Sequence, residues 1–261
     1  YGDHRDLHSF PTRRSSDLLL SIRNIKQHLD LIAGLPGEDY ESFRRSFNDV
    51  HSIRPEEIQL GFLKLLKGSS MREEAEKYGM VYSPYPPYEI IKTDKVSYKE
   101  MIRLKKVEEM VDKYYNSQKF NNTLKFFYEK YETPFDFFYD LGNFFEARGY
   151  FNRNIGNTEY YKVFLDFNME ILKGDESYLK DIIKYDYLSF NKRRGMPDFI
   201  KSNIDKQLEL QIKDELRERY SFKDYQIEKF DIDMSEYLNT GKIIKKECFY
   251  LVGNNCEIIK I

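Results

Sequence analysis

Apolar positions recur along this chain in two periods, and together they predict a short α/β segment followed by a longer, mainly helical one. Residues 19–24 read as the end of a helix, and residues 25–32 as a strand whose apolar residues gather near its end. Gly34-Leu35-Pro36-Gly37 breaks that strand, since two glycines and a proline cannot continue it. A helix is predicted from about Asp39, its N-cap, with Phe43, Phe47, Val50 and Ile53 on one buried face and Pro55 beyond its end. Residues 57–63 form the next strand, so strand, turn, helix and strand predict two parallel neighbours. A short helix opens at Ser70 with Glu73 completing a capping box, and stops before Gly79. Residues 82–88 carry Pro84, Pro86 and Pro87 and must be extended or looping. A long helix begins at Ser97, with Glu100 as its box partner and Tyr98, Met101, Ile102, Met110, Val111 and Tyr114 as its buried stripe. Further helices are predicted over residues 122–131, from Thr133-Pro134 to before Gly149 (stripe Phe135, Phe138, Leu141, Phe145), over 158–172 and over 178–190. Residues 201–219 are strongly charged, either a helix or a connection. Strands are predicted at 226–232, 242–252 and 257–261, with Gly253-Asn254-Asn255 as a hairpin signal.

The first eighteen residues stand apart. Read back into codons, Tyr1 to Leu18 resembles a common short-read sequencing adapter from end to end, and it is set aside from fold reasoning. The expectation is that native sequence starts near Leu19, inside a longer gene. Setting the segment aside removes His4 and His8 and leaves His28 and His51. It removes Arg5, Arg13 and Arg14 against Asp3, Asp6 and Asp17, so the net charge stays at −2.

Composition narrows the function classes. With 41% hydrophobic and 33% charged residues the chain can bury a core and stay dissolved. No apolar run approaches the roughly 18 residues of a membrane span. The near-zero net charge argues against a dominant nucleic-acid field. Cys248 and Cys256 are the only cysteines, and they form no paired metal-ligand pattern. Reduced thiols in a cytoplasmic protein are expected. His28 and His51 sit in no hydrolase motif, and Gly34 to Gly37 matches neither phosphate-loop pattern.

The run Asp30-Leu31-Ile32-Ala33-Gly34-Leu35-Pro36-Gly37-Glu38, with its helix and with Ile58-Gln59-Leu60-Gly61-Phe62-Leu63-Lys64, resembles the later part of a radical S-adenosylmethionine barrel. It looks closest to the branch holding oxygen-independent coproporphyrinogen oxidases and cobalamin-binding radical enzymes. The resemblance implies an α/β plus α fold. Residues 19–95 would be the C-terminal remnant of a partial (β/α) barrel. Residues 96–261 would be a mainly helical C-terminal domain of unknown function ending in a β-hairpin. It also implies cofactors for the full-length parent: S-adenosylmethionine, a [4Fe-4S] cluster and cobalamin in an upstream domain. In such enzymes cluster and cofactor together generate a 5′-deoxyadenosyl radical, and the protein holds the cofactor and excludes water. By resemblance, Asp30 would accept hydrogen bonds from ribose hydroxyls, as an acceptor-only carboxylate can. Ile32 would pack on adenine, Gly34 would let backbone approach the ligand, and Phe62 to Lys64 would be the other side of the slot.

The chain departs from that family's pattern in one decisive respect. The Cys-x3-Cys-x2-Cys loop that holds the cluster is absent, and two C-terminal cysteines do not replace it. This chain by itself is therefore expected to bind no cluster and to show no radical activity, its partner being the missing N-terminal half of the same polypeptide. No catalytic and no metal-ligating residue is assigned. For Asp30 the plainer alternative is a capping acid or an ion-pair partner at the strand end. A second functional class is a non-catalytic helical interaction module, RNA-binding through Lys192-Arg193-Arg194 and the nearby Tyr187. The plainer reading of that basic cluster is a solvated loop.

Overall fold

The computed structural model describes residues 26–192 and 195–261. The segment 1–18, the helix end at 19–24, and Arg193 and Arg194 of the basic cluster lie outside the described residues. The chain divides into two compact units that interleave along the sequence. One comprises the described residues up to Asn116 together with Thr133–Gly142, the other Ser117–Glu132 and Asn143–Ile261. The division at residue 95 expected from sequence falls inside the first of these.

In the first unit, β1 (His28–Ala33) pairs in parallel with β2 (Glu57–Phe62), from His28 opposite Glu57 to Ala33 opposite Phe62. The connection is α1 (Tyr40–Ile53). Its start is fixed locally, because Asp39 accepts from the Ser42 amide at 2.7 Å while Ser42 Oγ accepts from the Asp39 amide at 2.9 Å. That reciprocal pair satisfies two otherwise orphaned donors. Phe43, Phe47 and Val50 are buried as the periodicity requires. Phe47 meets the edges of Phe135 and Phe138, on the opening turns of α5 (Pro134–Ala147), and Arg44 grips Asp136 with two parallel hydrogen bonds of 3.1 and 2.6 Å. After β2 come α2 (Ser70–Glu73), a 3-10 turn, and the short antiparallel pair β3 (Val81–Tyr82) and β4 (Ile90–Lys92). The helix α3 (Tyr98–Met110) opens with the predicted Ser97–Glu100 box and widens into a π-helical turn, Val111–Asn116.

The second unit holds α4 (Asn121–Tyr128), the last part of α5, α6 (Asn157–Phe167) with a π-helical turn at Asn168–Leu172, α7 (Ser177–Phe190) and α8 (Lys206–Leu216). An antiparallel sheet follows in the order β5 (Tyr225–Ile232), β6 (Lys245–Gly253), β7 (Ile258–Lys260). Its helical core is aromatic, with Phe127 stacked on Phe164 at 5.3 Å and Phe120 tilted against Tyr161 at 4.6 Å.

The structure is mixed α/β with small sheets, and the described residues close no barrel. Three sequence expectations need correction. The cap of α2 is Ser69, whose Oγ accepts from the Arg72 amide, so Ser70 is already helical. Tyr98 is 58% exposed, because the buried stripe of α3 runs through Met101, Leu104, Val107 and Met110. The C-terminal strands form a three-stranded sheet rather than a lone hairpin, and the helix α9 (Met234–Thr240) intervenes between β5 and β6. Of the two readings left open for residues 201–219, the structure shows the helix, the eleven-residue α8.

Candidate functional site

The two parallel strands have unlike faces. Successive side chains alternate, so Leu29, Leu31 and Ala33 share a face with Ile58, Leu60 and Phe62. That face is apolar and largely buried, with α1 and α3 packed on these strands. His28, Asp30 and Ile32 share the opposite face with Glu57, Gln59 and Gly61. This face is open: the Asp30 side chain is 66% exposed and Ile32 45%. An isoleucine left half in water beside a glycine, on the polar side of a sheet, makes a shallow apolar step next to a carboxylate. Asp30 also meets His28, whose Nε2 lies 2.8 Å from its Oδ1.

The structure thus brings together Asp30 and Ile32 of the sequence-predicted residues, and separates the others from them. Phe62 pairs with Ala33, on the helix side, where Lys105 Nζ lies 4.7 Å from its ring centroid. The residue beside Ile32 is Gly61. Lys64 bridges to Glu89, where the chain beyond β2 is held by hydrogen bonds from Ile90 to Leu63 (2.8 Å) and from Leu65 to Tyr88 (2.9 Å). Gly34 is required by the fold itself. It has φ +90°, and a Cβ there would lie 2.9 Å from Ile90 Cγ2 and 3.0 Å from Met101 Cε. The space is filled by protein.

One device at β2 was not visible in the sequence. Asn116, the last residue of the π-helical turn, accepts from the Ile58 amide at 2.9 Å and donates to the Ile58 carbonyl at 3.0 Å. Its side-chain amide stands in for a neighbouring strand at that residue. Among the described residues β1 has no strand partner other than β2.

A second cluster of charged groups, on α7, also escaped sequence reasoning. Lys184 is fully buried and lies 3.1 Å from Asp181, whose other oxygen accepts from the amides of Asp231 and Ile232 at 2.6 and 3.2 Å. Asp186 is buried and accepts from the Thr123 amide (2.8 Å), Thr123 Oγ1 (2.7 Å) and Asn122 Nδ2 (2.7 Å) at the start of α4. Burial pushes its carboxyl up to about 6 against the pull of these donors. Each group is satisfied within the fold, so the cluster ties helices and sheet together. Its signal in the sequence was three charges at positions 181, 184 and 186 of a helix whose apolar face would otherwise bury them.

Residues 76–252 match the family described as protein of unknown function, DUF4080. The chain belongs to that DUF4080 family. The match covers more than half of the chain, from the 3-10 turn before β3 almost to the end of β6. Asp30, Ile32, Gly34, Phe62 and Lys64 all precede the DUF4080 segment. No curated protein matches the chain. Among the described residues, no helix is long and apolar enough to cross a membrane, and Cys248 and Cys256 are unpaired. Tyr187, named with the basic cluster as an RNA contact, is buried and donates its hydroxyl to the Gly195 carbonyl at 2.7 Å, so it offers no face for a base.

Proposed function

We propose that this chain is the C-terminal part of a cobalamin-type radical S-adenosylmethionine enzyme, with the open face of β1 and β2 as one wall of the nucleoside slot. DUF4080 domains are found in B12-binding radical S-adenosylmethionine proteins, which supports the class. The observation that carries the reading is the pairing of an exposed carboxylate with an exposed isoleucine, Asp30 and Ile32, on the uncovered face of two parallel strands. A carboxylate accepts from two vicinal hydroxyls at once, and a branched apolar side chain beside a glycine suits the flat face of a purine. In this reading His28 gives way at Asp30 when ribose binds, and Gly61 rather than Phe62 lies beside Ile32.

The residues present do not fit the iron–sulfur cluster. Three thiolates are required, and the chain has two cysteines, one buried in β6 opposite Phe230 and one in the turn before β7. The cluster would have to be held by residues that precede this chain in the full-length protein, together with the cobalamin-binding domain. No chemical step is assigned to residues of the present chain. Their part is to bind and orient the nucleoside.

The test is the coding sequence upstream in the same genome. An in-frame Cys-x3-Cys-x2-Cys is expected there, and the joined protein, reconstituted anaerobically with iron and sulfide, should cleave S-adenosylmethionine reductively. Asp30→Asn in the joined protein should raise the concentration of S-adenosylmethionine needed for half-maximal cleavage. A missing cysteine triplet, or cleavage indifferent to Asp30→Asn, overturns the proposal.

A further inference from the structure

Within the DUF4080 segment, a cleft of about 600 Å³ opens between α4, the π-helical turn Asn168–Leu172, the start of α7 and the residues leading into β6. That volume falls in the range of small-molecule sites, roughly 300–1,000 Å³. The apolar part of its walls is supplied by Phe126, Leu172, Tyr178 and Ile243.

Two cations stand at these walls. Lys130 Nζ lies 5.0 Å from the centroid of the Phe126 ring, and Lys245 Nζ lies 5.0 Å from that of Tyr178. Among the described residues neither is paired to a carboxylate within 4 Å. The one carboxylate in the lining, Asp175, accepts from the Ser177 amide at 2.8 Å, at the start of α7, and Lys245 acts on it through space only.

The floor is built by backbone geometry that an ordinary helix would not supply. The π-helical turn sets Asn168 inward, 1% exposed, with Nδ2 donating to the Asp175 carbonyl at 3.2 Å. Gly174 lies against that amide, where a Cβ would come within 2.6 Å of Asn168 Oδ1. A side chain at residue 174 would have to displace that amide. Single π-helical turns recur at functional sites because they re-aim side chains that regular pitch would misplace.

We propose that this cleft binds a small organic anion: an apolar, ring-containing or branched body between Phe126, Leu172 and Tyr178, with a carboxylate, sulfonate or phosphate head at Lys130 and Lys245. Apolar walls set the body, and the two ammonium groups select the sign of the head. No residue is shared with the nucleoside face of β1 and β2, so either site can fail without the other.

The probe is 8-anilinonaphthalene-1-sulfonate, an aromatic anion of suitable chemistry. The chain contains no tryptophan. Tyr178→Trp therefore places a sole energy donor in the cleft wall, and binding is read as transfer from it to the dye. One saturable site is expected. Decanoate should displace the dye, while inorganic phosphate at the same concentration should not, because the head alone lacks the apolar contact. Reversing both lysines (K130E with K245E, in the Tyr178→Trp chain) should weaken binding at least about tenfold. Both lysines are exposed, and an unchanged far-ultraviolet circular dichroism spectrum separates lost binding from lost fold. The proposal is overturned by unsaturable dye uptake, by the absence of transfer from the introduced tryptophan, or by affinity unmoved by charge reversal.

Discussion

Replacing Lys184 by methionine tests the reading of α7 as a buried electrostatic tie. The side chain has no solvent exposure, and Asp181 beside it has 5%. The ammonium lies 3.1 Å from the Asp181 carboxylate, donates to Ser202 Oγ at 2.7 Å and to the Lys229 carbonyl, and sits 4.0 Å from the Phe230 ring centroid. Methionine keeps most of the volume and the contact with the ring, but removes the charge. Asp181 is then left as a buried carboxylate with two amide donors and no cation. Breaking a buried pair from one side costs about 3–5 kcal/mol, mostly the uncompensated charge. With a urea slope of about 1–3 kcal/mol per molar, the unfolding midpoint should fall by roughly 1 M or more. Circular dichroism in urea measures it. Lys184→Met combined with Asp181→Asn should recover part of the loss, since the second change removes the stranded charge. A Lys184→Met midpoint within about 0.3 M of wild type, or a double variant whose loss equals the sum of the two single losses, would refute the argument.

Four other outcomes follow from the first unit. A Cβ at Gly142 would lie 2.9 Å from Lys106 Cβ and 3.3 Å from its carbonyl, so Gly142→Ala should destabilise by about 1–2 kcal/mol, the overpacking exceeding the gain of about 1 kcal/mol in helix propensity. A melting temperature equal to or above wild type would contradict this. At β1, Gly34→Ala should cost about 2–4 kcal/mol, from its φ of +90° and the contact with Ile90. Asp30→Asn, on the exposed face, should cost less than about 1 kcal/mol, and a comparison of the two urea midpoints checks both. Burial lowers the His51 imidazole from 6.5 to about 4. The unfolded chain therefore binds the extra proton first, and stability is lost as pH falls from about 6.5 to about 4, by about 3 kcal/mol in all. His51→Phe should flatten that part of the stability–pH curve, and an unchanged slope would show that the histidine is solvated.

Where the sequence was legible, local chemistry decided the structure. Asp39 and the Ser97–Glu100 pair satisfy helix donors within three residues, so caps could be read without tertiary knowledge. Phe135, Phe138, Leu141 and Phe145 lie on one helical stripe and are all buried. The misses have equally physical causes. Ser69 and Ser70 have the same capping chemistry, and only the packed structure chooses between them. The first turn of a helix reaches beyond the core, which frees Tyr98. A π-helical turn adds a residue to the pitch after Met110, yet Val111 and Tyr114 are buried as the stripe required. For the candidate site, the parallel strands could be read from pattern, and the acid came from the family resemblance. The placement of Phe62 could not, because register decides which residue stands beside Ile32, and register is a pairing between segments. The packing demand on Gly34 was also out of reach, because the methyl it lacks would meet Ile90, a contact across more than fifty residues of chain.

The order in which the chain visits its two units constrains how the protein can be taken apart. It leaves the first after Asn116, returns for Thr133–Gly142, and leaves again for good. A single proteolytic nick or a single truncation point therefore cannot release both halves whole. Cutting after Asn116 takes Phe135 and Phe138 away from Phe47, and Asp136 away from Arg44. Cutting after Gly142 carries away Thr123, and with it the hydroxyl and amide that Asp186 was built to receive. Deletion series on this family should step across the whole span from 116 to 143 at once, and soluble halves are best sought by co-expression rather than by excision.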